Sequence, residues 1–219
     1  MAVSENDVRR VAEAARALPP AQGTYIETDF VTNLLATVVD FQMHTTAVVR
    51  ALEFFKAHRR DKIRTLDDLK DVFARYPDDE PGNTALAQFL SNYKLWTRAQ
   101  MLRGLAGFFD GIGVRDQPAL QRWATKAQFK TDFEGRVRGL GPAVFQWLVM
   151  RQGVDTVKPD VHVLRFVEAA LGRRVSGEDA VEVVERAAAA LAKKAYELDW
   201  AIWEYSRGGP ADAEPGSSP

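Results

Sequence analysis

The 219-residue sequence contains no cysteine. Disulfide bonds, cysteine-ligated zinc, iron–sulfur clusters and a cysteine nucleophile are therefore excluded. With only three histidines as well, we do not expect a transition-metal site built from side chains.

The sequence also lacks a long apolar run and a large net charge. No stretch approaches the roughly 20 apolar residues that span a membrane, and MAVSENDVRR has no apolar segment typical of a secretory signal. We therefore expect a cytoplasmic protein with no membrane partner. The net charge is −1, so any basic surface must be local. The hydrophobic content of 46% excludes a disordered or fibrous protein.

Apolar residues recur at helical spacing, and no segment alternates with a period of two for long enough to form a sheet. Ser4 and Asp7 resemble a capping box, which predicts a helix that stops at Pro19 and Pro20. We predict an all-α protein. One buried helix face is predicted from Phe30, Val31, Leu34, Leu35, Val38 and Val39. Further helices are predicted over 47–58, from Thr65, over 84–109, after a capping box at Thr131–Glu134 and from Ser176, with a polar break at 40–46 and a loop at 77–83.

The most informative stretch is 136–167. Gly139-Leu140-Gly141 predicts a tight turn between two helices, and Pro142 suits the first position of the second helix. The N–H groups at such a helix start can bind a phosphate, although an ordinary corner between helices explains the same residues. About twenty residues later, Asp160 is a good N-cap for a helix over 161–171.

Together, GLGPAVFQWL and TVKPDVHVLRFV resemble the helix–hairpin–helix and catalytic-aspartate signature of the endonuclease III (HhH-GPD) superfamily of DNA glycosylases. The similarity extends in order over about residues 24–207. Four further segments carry it: LLATVVDFQMHTTAVVRALEFF, TLDDLKDV, NYKLWTRAQMLRGLAGFF and ELDWAIWEYSR.

The resemblance implies an all-α fold of two lobes with a DNA-binding cleft between them. In the implied organisation, residues 1–23 form an N-terminal helix and linker that pack with the closing helices. Residues 24–134 form a helical lobe. Residues 135–207 carry the hairpin, the aspartate and the closing helices, and residues 208–219 form a disordered tail.

The implied activity is hydrolysis of the N-glycosidic bond of a flipped damaged or modified base, which leaves an abasic site. Asp160 falls on the family's catalytic carboxylate, whose charge would stabilise the oxocarbenium-like sugar. Ala143 stands where bifunctional relatives carry a lysine, so the enzyme is expected to be monofunctional. Lys158 is the one nearby rival amine and is more simply explained as a phosphate contact or a solvated loop lysine. The four-cysteine iron–sulfur loop of many relatives is missing.

The implied partner is double-stranded DNA, bound by a monomer that would associate with the nucleoid in a bacterium. Residues 135–174 contain seven Lys and Arg against three Asp and Glu, and residues 92–103 add three bases without an acid. No cofactor is required, although the hairpin carbonyls are a candidate site for Na⁺ or K⁺. The implied DNA-contact residues are Gly139, Leu140, Gly141 and Ala143 of the hairpin, the wedge residue Gln42 and Lys158. A polar loop position between two helices explains Gln42 equally well.

Base recognition is the least determined part of the site. Tyr25 and Trp203 are candidates for the base pocket, whereas Trp147 is expected in the core. His44 is an alternative wedge and His162 is expected to be structural. Three alternatives stay open: a non-catalytic lesion-binding protein of the same fold, a glycosylase with lyase activity through an unexpected lysine, and a helical interaction protein that never binds DNA.

Overall fold

The computed structural model describes residues 3–20, 26–41 and 43–208. These residues form helices and no strand, which confirms the all-α prediction. No helix in the described ranges has the length and apolar character needed to cross a membrane. The helices are α1 Glu5–Arg16, α2 Phe30–Val39, α3 Thr45–His58, α4 Leu66–Phe73, α5 Glu80–Ser91, α6 Trp96–Gly111, α7 Gln117–Ala124, α8 Pro142–Met150, α9 Val161–Leu171, α10 Gly177–Ala190 and α11 Ala195–Gly208.

The chain divides into two compact units. The central unit spans Ile26–Val154 and contains α2 to α8, while the terminal unit joins Met1–Tyr25 to Asp155–Pro219. In the terminal unit, α1 packs on α9 and α10, and α11 packs on both of these helices. The hairpin around Gly139 therefore belongs to the central unit, and Asp160 belongs to the terminal unit.

Local sequence signals account for several helix starts. Ser4 forms the predicted capping box, because its hydroxyl accepts from the Asp7 N–H at 3.2 Å and the Asp7 carboxylate accepts from the Ser4 N–H at 3.1 Å. Thr65 and Asp68 form the same arrangement before α4. In α2 all ten residues are buried, so this helix is enclosed on every side rather than on one face.

Two predicted boundaries in the middle of the chain are wrong. The segment 77–83 is not a loop throughout, because Asp79 caps α5 and Pro81 occupies its first turn, where a missing N–H costs nothing. The predicted helix over 84–109 is interrupted at Asn92, whose φ of 60° ends α5. Asparagine tolerates this left-handed conformation better than most residues, so it can serve as a helix stop.

Two later predictions also need correction. The Thr131–Glu134 segment does not cap a following helix; a π-helical turn over Phe129–Phe133 takes its place, and the Asp132 carboxylate accepts from the Gln128 N–H at 2.7 Å. The long helical region from Ser176 is divided into α10 and α11, with Ala192 at a φ of 54° between them. These turns depend on packing that periodicity does not report.

Candidate functional site

The hairpin is a tight turn that leaves the first residues of α8 at the surface of the central unit, while most of the helix is buried. The Leu140 N–H donates to the Val137 carbonyl at 3.2 Å, and the Leu140 side chain is buried in the core. Gly139 is exposed with a φ of 86°, and a Cβ there would lie 2.8 Å from Met101 Cε. The positive φ therefore favours glycine at position 139, whereas the Met101 methyl group is the end of a flexible side chain that can move aside.

The start of α8 leaves backbone donors available. Gly141 is the N-cap and forms no side-chain cap hydrogen bond, and Pro142 contributes no N–H. Within the described residues no side chain accepts from the next N–H groups, including that of Ala143. Helix N-termini of this kind attract anions through these donors and through the helix dipole.

Helix α6 connects the hairpin to the predicted wedge loop. The Arg98 Nη2 donates to the Phe41 carbonyl at 2.5 Å, and its guanidinium lies 5.0 Å from the centre of the Phe41 ring. One turn later, Met101 lies beneath Gly139. Gln42 itself lies outside the described residues, but the backbone before it is held by the helix that supports the hairpin.

Arg98 and Arg103, two of the three basic residues in 92–103, form hydrogen bonds inside the central unit. Burial lowers the pKa of the Arg98 guanidinium. Arg103 donates to the carbonyl oxygens of Phe73 and Tyr76 and to Asn83 Oδ1, at 3.3, 2.7 and 2.8 Å. Arg103 thus ties the end of α4 to α5 and α6 inside the central unit.

In the terminal unit, Asp160 caps α9 as predicted. Its Oδ1 accepts from the N–H groups of His162 and Val163, at 2.9 and 3.2 Å. The second carboxylate oxygen, Oδ2, accepts no hydrogen bond from the residues that the structure describes. Asp160 is half-buried. One oxygen is therefore fixed by the helix start while the other can act on a water molecule or a developing positive charge.

The loop that presents Asp160 is fixed by α10 and α11. The Lys158 N–H donates to Asp199 Oδ1 at 2.9 Å, and the Thr156 hydroxyl donates to Glu185 Oε1 at 2.6 Å. The Asp199 carboxylate thus fixes the backbone two residues before Asp160, and the sequence interpretation missed this contact. Its signal is an acid on the buried side of α11, where it is only 5% exposed between buried Leu198 and Ala201.

The remaining candidates lie in varied surroundings. Trp203 is half-buried, with its ring 5.9 Å from that of Trp200 and 4.6 Å from the Arg207 guanidinium. Tyr25 lies outside the described residues.

His44 is the exposed N-cap of α3 and forms no side-chain cap bond, and His162 is half-buried in the first turn of α9. Trp147 is partly exposed rather than fully in the core, and it stacks on the Arg151 guanidinium at 5.0 Å.

In the described ranges, no group of three or more His, Cys, Asp and Glu side chains is arranged to hold a metal ion. This observation concerns side-chain ligands alone. A monovalent cation on the hairpin carbonyls stays a prediction.

Comparison with known proteins gives one match. Neither the curated proteins nor the solved structures include a match to this chain. One family profile, described as "Domain of unknown function (DUF8548)", matches residues 25–207. That range contains the hairpin, the Asp160 loop and most of both helical units, and the chain therefore belongs to the DUF8548 family.

Proposed function

We propose that the protein is a monofunctional DNA N-glycosylase that binds double-stranded DNA as a monomer in the cytoplasm. It would hydrolyse the N-glycosidic bond of a flipped damaged or modified base and leave an abasic site. The observation that carries the proposal is the Asp160 carboxylate, held through Oδ1 at the start of α9 with Oδ2 uncommitted. The uncommitted start of α8 at the glycine hairpin supports a phosphate contact.

In this mechanism the carboxylate acts on charge that develops as the base departs. The sugar becomes oxocarbenium-like, and a nearby fixed anion stabilises it more than it stabilises the ground state. The same carboxylate orients the attacking water and accepts its proton. Hydrogen bonds from the loop to Asp199 and Glu185 reduce the freedom of the Asp160 backbone. Ala143 supplies no amine, so no Schiff base forms at that position.

The proposal predicts separate effects for two Asp160 variants. Asp160→Asn keeps an oxygen that caps α9, so the variant should fold normally and bind DNA. It removes the negative charge, so base release should fall by about 10²–10³-fold or more. Asp160→Ala should lose the same activity and, in addition, about 1 kcal/mol of stability from the missing cap.

The measurement is base release from a panel of duplexes, each with one lesion or modified base, with abasic sites revealed by alkali. Asp155→Asn is the matched control, since Asp155 is a carboxylate of the same loop that caps the Tyr196 N–H at 3.3 Å. Full activity in Asp160→Asn would refute the mechanism. Strand scission without alkali would indicate lyase activity through a lysine, and DNA binding without release of any base would indicate a non-catalytic lesion-binding protein.

The hairpin can be tested independently of the chemistry. Gly141 has an extended conformation, and a Cβ there meets nothing within 4 Å. Gly141→Asp and Gly141→Asn should therefore both fit and both cap α8. Both side chains occupy N–H groups that would otherwise bind phosphate, and only the aspartate adds a negative charge. Gly141→Asn should therefore weaken duplex binding, and Gly141→Asp should weaken it further, by about tenfold or more relative to the wild type. Wild-type affinity in both variants, measured by fluorescence anisotropy, would show that the hairpin does not contact phosphate.

A further inference from the structure

The segment Arg136–Gly139 separates two grooves on the central unit. Arg138 and Gly139 line the first groove, together with α6 residues near Met101. Arg136 lines the second groove, which has a volume of about 760 Å³ and which we call the α6–α7 groove. The walls of the α6–α7 groove include Gly107, Gly111, Arg122, Lys126, Asp132 and Arg136.

The α6–α7 groove carries a positive charge that the fold does not use. Arg122, Lys126 and Arg136 are all exposed. Within the part of the chain that the structure describes, their side chains form no ion pair or hydrogen bond, in contrast to Arg98 and Arg103. The one acidic residue of the groove, Asp132, accepts a hydrogen bond from the Gln128 N–H. The groove therefore favours an anionic ligand.

One wall of the groove is open down to the helix backbone. Gly107 and Gly111 lie four residues apart on exposed positions of α6, and a Cβ at either would meet nothing within 4 Å. Gly107 lies inside α6, where glycine lowers helix stability relative to alanine, and Gly111 is the last residue of that helix. Neither glycine relieves a contact in the protein. Their effect is to leave room above α6, which suits an extended ligand that lies close to the helix.

We propose that the α6–α7 groove is a second DNA-contact site, which binds the phosphodiester backbone beyond the hairpin. This inference rests on the proposed function, because it assumes that the hairpin itself lies on DNA. Arg136 and Gly139 lie three residues apart in a segment that lines both grooves. A strand bound at the start of α8 would therefore continue past Arg136 onto Arg122 and Lys126. Contacts of this kind position the duplex and add salt-dependent affinity without reading the base sequence.

The test removes two of the positive charges and measures binding as a function of salt. The probe is a duplex with a central tetrahydrofuran abasic analogue, followed by fluorescence anisotropy with the full chain. The double variant Arg122→Gln with Lys126→Gln should bind about tenfold more weakly at ~0.15 M salt. The slope of log K against log salt should become shallower by about two, since each lost phosphate contact removes about 0.9.

The matched control is Arg60→Gln with Lys62→Gln, which makes the same change in net charge on exposed residues that line neither groove. This control should keep the wild-type slope, and thermal melting should show that both double variants are folded. Equal losses in the two double variants would mean that only net charge matters and would overturn the proposal.

The remaining outcomes separate the groove from the glycosylase proposal. Wild-type affinity in the groove variant, combined with weakened binding by Gly141→Asp, would overturn the groove and leave the hairpin intact. If the wild-type chain shows no salt-dependent binding to the probe, both the groove and the proposed function are contradicted.

Discussion

The two units bury different kinds of side chain. The central unit is built around aromatic rings: Phe133 is fully buried, with the rings of Phe108 and Phe145 each 5.4 Å away. In the described part of the terminal unit, the buried core contains valine, alanine, leucine and isoleucine and no aromatic residue. Small side chains such as Ala15 and Ala187 let α1 approach α10 closely.

This difference shows that the two units gain stability in different ways. An aromatic side chain removes more apolar area from water than an alanine or valine, so the buried phenylalanines give the central unit contributions that the described core of the terminal unit lacks. The terminal unit also joins segments from the two ends of the sequence, which adds a loop-closure cost. Asp160 therefore lies in the unit that we expect to open more readily.

The largest expected effect comes from removing one ring. Phe133→Ala should destabilise the central unit by about 3–5 kcal/mol, because it leaves a cavity among the surrounding rings. Val184→Ala, at an equally buried position of the terminal unit, should cost about 1–2 kcal/mol for two buried methyl groups. Amide hydrogen exchange, read separately over residues 26–154 and 155–208, measures each loss. A larger loss in Val184→Ala would contradict the proposed difference between the cores.

Local signals made most of the fold predictable. The Ser4 capping box, the apolar repeat of α2 and the Asp160 N-cap all act within one helical turn, so the sequence alone reveals them. The breaks at Asn92 and Ala192 were missed because neither residue is a strong helix breaker and each adopts a left-handed conformation that periodicity does not encode.

The sequence could not predict which basic residues are buried and which are exposed. Arg151 was counted among the local positive charges, yet it is 3% exposed and donates to the Asn33 carbonyl at 2.9 Å and to the Thr37 hydroxyl. Burial lowers the pKa of Arg151 to about 10. These partners are more than a hundred residues away in sequence, so no local pattern distinguishes Arg151 from the exposed Arg136.

The two units also differ in how they hold a buried charged side chain, and this difference predicts a smaller change in stability. Several hydrogen bonds hold Arg151 in the central unit, whereas in the terminal unit Thr156 donates one to the half-buried Glu185. Burial raises the pKa of the Glu185 carboxyl above its ordinary value of 4.5, and the charges of Asp155 and Glu182 act in the same direction. The folded state therefore holds this proton to a higher pH than the unfolded state does.

The sign of the pH dependence follows from this difference. As pH rises from below ~4, the unfolded state releases the Glu185 proton first, so stability falls until the folded carboxyl has also ionised. Glu185→Gln keeps the oxygen that accepts from Thr156 and removes the charge. The free energy of unfolding of this variant should equal that of the wild type below pH ~4. Near pH ~7 it should be higher by less than about 1 kcal/mol, because the Glu185 carboxyl is partly solvated.

Urea unfolding at both pH values measures the Glu185→Gln difference. The control is Glu5→Gln in the same unit, where an exposed carboxylate that pairs with Arg186 of α10 is lost instead. This control should show no gain near neutral pH, since an exposed pair contributes little and its loss cannot stabilise the fold. If Glu185→Gln is less stable than the wild type near neutral pH, the ionised carboxylate is favourable in the folded protein. Glu185 would then stabilise the Asp160 loop through its charge, and the terminal unit would tolerate a partly buried ion as well as the central unit tolerates Arg151.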